Sequence, residues 1–358
     1  MRRYLLAMIA IIGATPALGA PVTRVTELPD LVEKVLPSVV NISSNSVINF
    51  EVGGWGPFLE FWGLPKTRKH SSLGSGFIID GNGFLLTNHH VIEQADEVLV
   101  ILKNKKQYES RLIGSDAKLD LALLQMVDKK GRTPKGLVPV KMGDSAKVRI
   151  AEPVFAIGNP FGLQHTVTTG IISAKNRTIG VGPFDDFLQT DAEINPGNSG
   201  GPLFDYNGNV IGMNTAIYSN TGQSAGAGFA TPINAIKEAL SLLKRYGRIP
   251  RPWLGILVET VDERLARYYK FRAKKGVLVY NLVKGGPAHR AGLRHFDVIT
   301  KVNGQVVEDP DAVERLLARA GIKKDVKLEI VRKSRRFPVK LKLEELPRRL
   351  GDLPKGII

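Results

Sequence analysis

From Val35 to Ile233 the apolar residues come in short runs (SVVNIS, GSGFIID, EVLVILK, LALLQM, PVFAIG, TVTTGIIS, NVIGMNTAI) separated by Gly, Asn, Asp and Pro. Short β-rich runs bounded by turn residues predict an all-β region of barrel or sandwich type. Between the first two runs, residues 46–73 read as a long irregular insertion rich in Gly and aromatics (Phe58, Phe61, Trp62), and such a loop is usually functional or mobile. The period then changes. Ile233, Ile236, Leu240 and Leu243 recur at spacings of three and four, with Thr231 as a cap, Pro232 at the first helical position and Gly247 as the stop, which predicts one helix. GRIPRPW follows, and its two prolines cannot continue that helix, so 248–252 reads as a linker. Beyond it lies a smaller α/β unit, 253–345, with strands WLGILVE, GVLVYNLV and DVITKVNG, helices at PAHRAGL and DPDAVERLLARAG, and a final hairpin ending in VKLKL. Residues 346–358 are left as a tail.

Composition narrows the function classes. A chain of 358 residues exceeds what one core organises, and 43% hydrophobic with 23% charged side chains suits a soluble protein, which excludes a polytopic membrane protein. The absence of cysteine excludes disulfides, thiol catalysis, Cys-zinc sites and iron–sulfur clusters. Without HExxH either, no metal is expected, and no cofactor. The net charge of +16 is uneven: residues 251–358 hold 25 basic and 13 acidic side chains, a net of +12. These charges read as a solvated face, with KSRR (Lys333–Arg336) the densest run and no nucleic-acid partner expected. At the N-terminus, MRR, an apolar stretch and TPALGA form either an export signal cut after Gly19 or Ala20 or an uncleaved anchor, because no charge occurs from Tyr4 to Thr23. Either way the bulk of the chain is expected outside the cytoplasm, in the periplasm or tethered to the inner membrane.

Three local signals carry chemistry: TNHHVI, LDLALL with Asp120 at an apolar strand start, and GNSGGP with Ser199 among Gly197, Gly200 and Gly201. Their order His, Asp, Ser and separations of about 30 and about 80 residues suit a trypsin-like double barrel. A serine hydroxyl is a weak nucleophile until a neutral imidazole takes its proton, and the imidazole needs a buried carboxylate to fix its tautomer. His90, Asp120 and Ser199 can fill these roles. Glycines around the serine let the backbone turn sharply, so that the N–H groups of Gly197 and Ser199 can face an oxyanion.

With GDSAKVR, AIGNPFG, GIISAKNR, QTDAEINPGNSGGPL, IGMNTAI, WLGI, GPAHRAGL and VNGQVV added, residues from about 70 to 345 resemble the HtrA/Deg family of extracytoplasmic serine endoproteases. The resemblance implies a mostly β chain: a chymotrypsin-like double β-barrel protease domain (30–247) followed by a small α/β PDZ domain (253–345). It also implies a homotrimer, and substrates that are unfolded or regulatory proteins. In the family pattern T-N-x-H the second histidine is the base, which selects His90. The substrate pocket is then walled by Ile194, Ile217 and Tyr218 and favours aliphatic residues. Against that stands Glu193, six residues before the serine, where trypsin-like enzymes place the acid that binds Lys or Arg; it is expected to face solvent. Arg177 is implied to couple peptide occupancy to the oxyanion loop.

A PDZ domain adds an extended peptide as a strand and holds its carboxylate with free backbone N–H groups. Trp253, Leu254, Gly255 and Ile256 fit that loop, and Val313, Leu316 and Leu317 share a helical face that could line the groove. Departures from the family pattern occur at His89, His165, Glu193 and Phe296, the last replacing a glycine. With one PDZ-like segment the chain is similar to the single-PDZ signalling branch. The functional expectation is an ATP-independent serine endoprotease of the cell envelope whose PDZ domain binds peptide C-termini; the alternative is a peptide-binding chaperone or scaffold with latent proteolysis.

Overall fold

The computed structural model describes residues 27–49, 67–159, 165–180, 182–195, 197–217, 226–269, 271 and 273–347. The N-terminal apolar segment, most of the tail and Tyr218 lie outside the described residues. Six strands, β1 (Val39–Asn49), β2 (Thr67–Ile78), β3 (Phe84–Thr87), β4 (Glu97–Ile101), β5 (Gln107–Asp116) and β6 (Leu121–Val127), close a barrel in the order β1-β2-β3-β6-β5-β4. Seven more form a second sheet: β7 (Lys141–Met142), β8 (Pro153–Gly158), β9 (Thr166–Arg177), β10 (Phe187–Thr190), β11 (Pro202–Asp205), β12 (Asn209–Ile217) and β13 (Gly228–Pro232). Their order is β11-β8-β9-β10-β13-β12-β7, and an extra β11–β12 pairing rolls six of them into a second barrel.

Side chains alternate across a strand, and here both faces are buried. In β6, Ala122, Leu124 and Met126 fill the first barrel, while Leu121 and Leu123 pack between the barrels. In β8, Val154 and Ala156 fill the second barrel, whereas Phe155 and Ile157 join the same shared core, where Phe155 stacks on Phe204 at 5.0 Å. This explains why LALL and VFAI read as continuous apolar runs. Helix Ile233–Tyr246 adds Ile233, Ile236 and Leu243 to the shared core; each such side chain, fully buried, contributes about 1.5–3 kcal/mol.

Several local expectations need correction. Residues 46–49 and 67–73, assigned to an irregular insertion, continue the β1–β2 ladder, with Asn49 opposite Thr67. His89–Ile92 form a helical turn. Helix Ile233–Tyr246 is not capped by Thr231, which lies in β13 and pairs with Met213; its N-cap is Pro232, without a side-chain bond, while Gly247 ends it in the left-handed region at φ 69° as expected. Arg177 is the last residue of β9.

Three hydrogen bonds of Ser75 tie the barrels together near the GNSGG turn. Ser75 of β2, fully buried, donates its Oγ to the carbonyl of Gly197 at 2.6 Å and accepts from the N–H of Asn159 at 2.8 Å. Its own N–H donates to the carbonyl of Ser199 at 2.9 Å.

The second unit is a sheet of β15 (Ile256–Val261), β16 (Gly276–Leu282), β17 (Val298–Val302), β19 (Asp325–Arg332) and β20 (Arg335–Lys342) in that order, with β18 (Gln305–Val306) beside β17. A small ribbon pairs β14 (Pro252–Trp253) with β21 (Glu344–Glu345). Helix Pro310–Ala320 is capped by Asp309, whose carboxylate accepts from the N–H of Ala312 at 2.6 Å. Helix Glu263–Tyr268, which hydrophobic spacing did not mark, is capped likewise by Asp262. The linker lies against the first barrel: the N–H of Ser115 donates to the carbonyl of Gly247 at 3.2 Å, and the guanidinium of Arg251 pairs with buried Asp116, with Nη2 at 2.7 Å from Oδ1.

Replacing Ser75 by Ala leaves the Gly197 carbonyl and Asn159 N–H without their shared partner, so Ser75→Ala is expected to lower stability by about 1–3 kcal/mol, read from chemical denaturation. His165, half-buried with Nε2 donating to the Val39 carbonyl at 3.1 Å, has its pKa held below 6.5 by burial, opposed by that hydrogen bond and reinforced by Lys103. The folded state thus keeps a neutral ring that the unfolded chain protonates; this stability is present above about pH 6.5 and lost as pH falls toward the lowered folded pKa. His165→Gln is expected to flatten the decline of Tm between pH 7 and pH 5, measured by thermal melts across that range.

Candidate active site

Asp120 sits where a turn enters β6. It holds φ at +48°, a left-handed conformation that Asp tolerates better than most residues. Asp116 shapes that turn by accepting from the N–H of Leu119 at 3.0 Å. The Asp120 carboxylate then gathers three donors: Nδ1 of His90 lies 2.7 Å from Oδ2, the backbone N–H of His90 donates to Oδ1 at 2.9 Å, and Oγ1 of Thr215 donates to Oδ2 at 2.7 Å. Asn88 locks this arrangement, its Nδ2 donating to the Asp120 carbonyl at 2.8 Å and to Thr215 Oγ1 at 3.0 Å. With Nδ1 committed to the carboxylate, the neutral ring leaves Nε2 as its acceptor. His89 points elsewhere. Its Nδ1 is buried and has no hydrogen-bond partner, and it makes no contact with Asp120 among the described residues.

On the second barrel, Ser199 occupies the turn between Asn195 and β11. Gly197 at φ 101° and Gly200 at φ 82° take conformations closed to most side chains. At Gly200 a Cβ would also lie 2.3 Å from the Ser75 carbonyl oxygen. The N–H groups of Asn198, Gly200 and Gly201 donate to the carbonyls of Asn195, Asn214 and Asn198. Those of Gly197 and Ser199 have no acceptor among the described residues, so the two donors proposed from sequence are the ones the turn leaves open. The hydroxyl of Ser199 is half-buried and likewise makes no hydrogen bond among the described residues. The structure therefore brings His90 and Asp120 together and presents Ser199 on the facing barrel, with the serine–histidine bond unformed in this conformation.

The remaining expected site residues divide. Ile194 is 2% exposed and packs in the core of the second barrel, so close to Gly228 that a Cβ there would lie 2.6 Å from its Cγ1. The side chain of Ile217, like Tyr218, lies outside the described residues. Glu193 is exposed and accepts from Asn195 Nδ2 at 2.8 Å. Arg177 donates Nε to Gln189 Oε1 at 2.9 Å. A hollow of about 300 Å³ next to His90 and Asp120 is lined by Phe184, Phe187 and Pro232, not by Ser199 or Ile194, so it opens on the carboxylate side of the imidazole.

In the second unit, Leu254 is buried and Gly255 takes φ 74°, with Trp253 stacked so near that a Cβ would lie 3.2 Å from the indole. The carbonyls of Leu254 and Gly255 accept from Ala288 and Val283, while their N–H groups have no acceptor among the described residues. Across the sheet, Val313 and Leu317 are buried and Leu316 half-buried on helix Pro310–Ala320.

Sequence reasoning missed Ser75, Asn88 and Thr215. The first two lie inside motifs it quoted, GSGF and TNHH, where a small polar residue attracts no notice; Thr215 sits in IGMNTAI, read only as a strand.

Comparison with known proteins covers both units of the chain. Residues 74–213 match the trypsin-like peptidase domain and residues 252–343 the PDZ domain. The chain is 38% identical over 92% of its length to a probable periplasmic serine endoprotease DegP-like of Pseudomonas putida, covering 72% of that protein. It is 36% identical over 99% of its length to the corresponding protein of Halomonas elongata, covering 76% of it. Its fold matches the HtrA-type protease AlgW with decapeptide at a TM-score of 0.71 and 33% identity, covering 90% of this chain and 99% of that one. A match to the serine endoprotease from Yersinia pestis has a TM-score of 0.65 at 30% identity. Among the described residues no side-chain cluster could hold a metal ion, and no helix is long and apolar enough to cross a membrane. The carboxylate-bound imidazole, the serine on its glycine turn and the PDZ unit behind them thus sit in a chain that belongs to the HtrA family of DegP-like periplasmic serine endoproteases.

Proposed function

We propose that this endoprotease cuts unfolded or regulatory proteins with Ser199 as nucleophile, His90 as base and Asp120 as the carboxylate that orients it, and that a peptide C-terminus in the PDZ groove promotes the active arrangement. The observation that carries this reading is the completed His90–Asp120–Thr215 network facing a serine whose hydroxyl is unengaged. Nε2 of His90 takes the Ser199 proton as Oγ attacks the peptide carbonyl, and Asp120 stabilises the imidazolium that results. The N–H groups of Gly197 and Ser199 receive the oxyanion, each worth roughly 3 kcal/mol of transition-state stabilisation. His90 then protonates the leaving amine, and water releases the acyl group by the same route in reverse.

Two observations support peptide control. The free N–H groups of Leu254 and Gly255 suit a carboxylate, and Glu314, on the helix that lines the groove, pairs with Lys118 two residues before Asp120. A peptide that prefers one position of that helix shifts the equilibrium of the turn it touches. Arg177 would act on the same equilibrium through Gln189 and β10. Substrate preference is read as aliphatic, because Glu193 is exposed and engaged by Asn195.

Fluorophosphonate labelling of purified protein tests the assignment directly. Label is expected on Ser199 and to increase with a peptide bearing a free apolar C-terminus; no label under either condition would overturn the enzyme reading in favour of a peptide-binding chaperone. His90→Ala is expected to remove labelling and casein cleavage, lowering turnover by about four orders of magnitude or more. His89→Ala retains substantial activity, since that ring has no partner in the network; equal loss in both folded variants would unseat His90. Cleavage sites in a denatured proteome are expected to show Val, Ala, Ile or Leu before the cut bond, whereas Lys and Arg there, lost in Glu193→Ala, would reverse the pocket assignment.

A further inference from the structure

Three segments of the PDZ unit converge around an open cavity of about 600 Å³: Tyr269 and Phe271 after helix Glu263–Tyr268, Arg294–Phe296 before β17, and Arg332–Ser334 between β19 and β20. None of its lining residues belongs to the peptide groove. The groove flanks β15, whereas β20 is the opposite edge of the same sheet.

The face is aromatic. Ring centroids lie 4.9 Å apart for Tyr268–Tyr269, 5.0 Å for Tyr269–Phe296, 5.5 Å for Tyr269–Phe271 and 4.1 Å for His295–Phe296. Tyr268 is 78% exposed and Phe296 38%. Single exposed apolar residues need no explanation, but a contiguous cluster marks an interaction surface.

It is also basic. Arg332 is matched by Asp297, with Nε 2.7 Å from Oδ1, but Arg294, Lys333, Arg335 and Arg336 have no acidic side-chain partner among the described residues. Lys340 and Lys342 continue the exposed charge along β20.

A third observation is independent of both. Phe296 holds φ at +67°, where a bulky side chain is strained, and such strain persists where the surroundings or a function demand it. A glycine there would relax the backbone and delete the centre of the aromatic cluster.

We propose that this face docks on an anionic lipid bilayer, with Tyr268, Tyr269 and Phe296 at headgroup depth and Arg294, Lys333, Arg335 and Arg336 on the lipid phosphates. Amphipathic rings beside Lys and Arg are the chemistry of the membrane interface, and clustered basic residues near an anionic surface add attraction that salt screens. A single-stranded nucleic acid fits less well, because it needs open ring faces for its bases, and here Tyr269 stacks on Phe271 with 21° between planes while His295 covers Phe296. Docking through β20 leaves β15 and the groove free, so a bilayer-bound enzyme could still take a peptide.

The test is flotation of the full chain with vesicles of phosphatidylcholine alone or containing about 30% phosphatidylglycerol, at about 0.1 and about 0.5 M salt. The wild type is expected to bind the anionic vesicles about ten-fold or more tightly than the neutral ones, and Lys333→Glu/Arg335→Glu/Arg336→Glu to lose that preference while keeping its Tm and its affinity for a C-terminal peptide. Phe296→Gly is expected to melt at the same temperature or higher yet bind the vesicles about three-fold more weakly, an opposition that a purely structural residue does not produce. The apolar N-terminal segment is present in every variant, so a lipid preference that survives the triple charge reversal overturns the proposal. Equal binding to neutral vesicles overturns it too. Binding of single-stranded DNA or polyglutamate that is tighter than binding to the anionic vesicles at matched charge, and is lost in the triple charge reversal, replaces the bilayer by a soluble partner of that class and sinks it.

Discussion

The proposed active site depends on two barrels sharing one core. His90 and Asp120 come from the first barrel and Ser199 from the second, so neither barrel alone holds the proposed set. Their relative position is fixed by strands whose alternate residues are buried on both sides, Leu121 and Leu123 from one barrel meeting Phe155, Ile157 and Phe204 from the other. Such interiors are packed to near crystal density and do not deform continuously. Ser75 converts that packing into register at the site. It grows from the first barrel, yet its N–H and hydroxyl both end on the turn of the second that carries Ser199.

The acid is held from more directions than the base needs. Thr215 and Asn88 fix the Asp120 carboxylate and carbonyl, while Asp116 shapes the preceding turn and also receives Arg251 from the linker. The glycine turn of Ser199 is held by backbone bonds at Asn198, Gly200 and Gly201 and left open at Gly197 and Ser199. Both the acid and the serine turn are thus held by several bonds, while the Gly197 and Ser199 N–H groups stay open.

The proposed triad was read from local motifs whose residue types answer a chemical demand: histidines just after a strand, an acid opening an apolar strand, a serine among glycines. Turn-bounded apolar runs pointed to a barrel or sandwich, the order and spacing of the motifs and the family resemblance to the double barrel, and the helical period to the stop at Gly247. Ser75, Asn88 and Thr215 were not legible, since a buried Ser, Asn or Thr acquires its role from partners 12 to 127 positions away, which no local window contains. The β1–β2 ladder beyond Ser46 was hidden for a related reason. SVIN and TRKHSS pair across a long separation, and neither alone alternates clearly enough to be read as a strand.

Asp120 and Phe296 are both left-handed residues other than glycine, and the contrast between them bears on how function is written into backbone strain. At Asp120 the cost is offset on the spot, because a short polar side chain tolerates that conformation and its carboxylate collects donors from His90 and Thr215. Phe296 has no such compensation: its side chain makes no hydrogen bond, and more than a third of it faces water. Ring contacts with His295 and Tyr269 return part of the cost, but a glycine would avoid it altogether. A strained residue that the fold alone does not require is most simply understood through what it presents outward, and here that is an aromatic edge set among unpaired basic side chains.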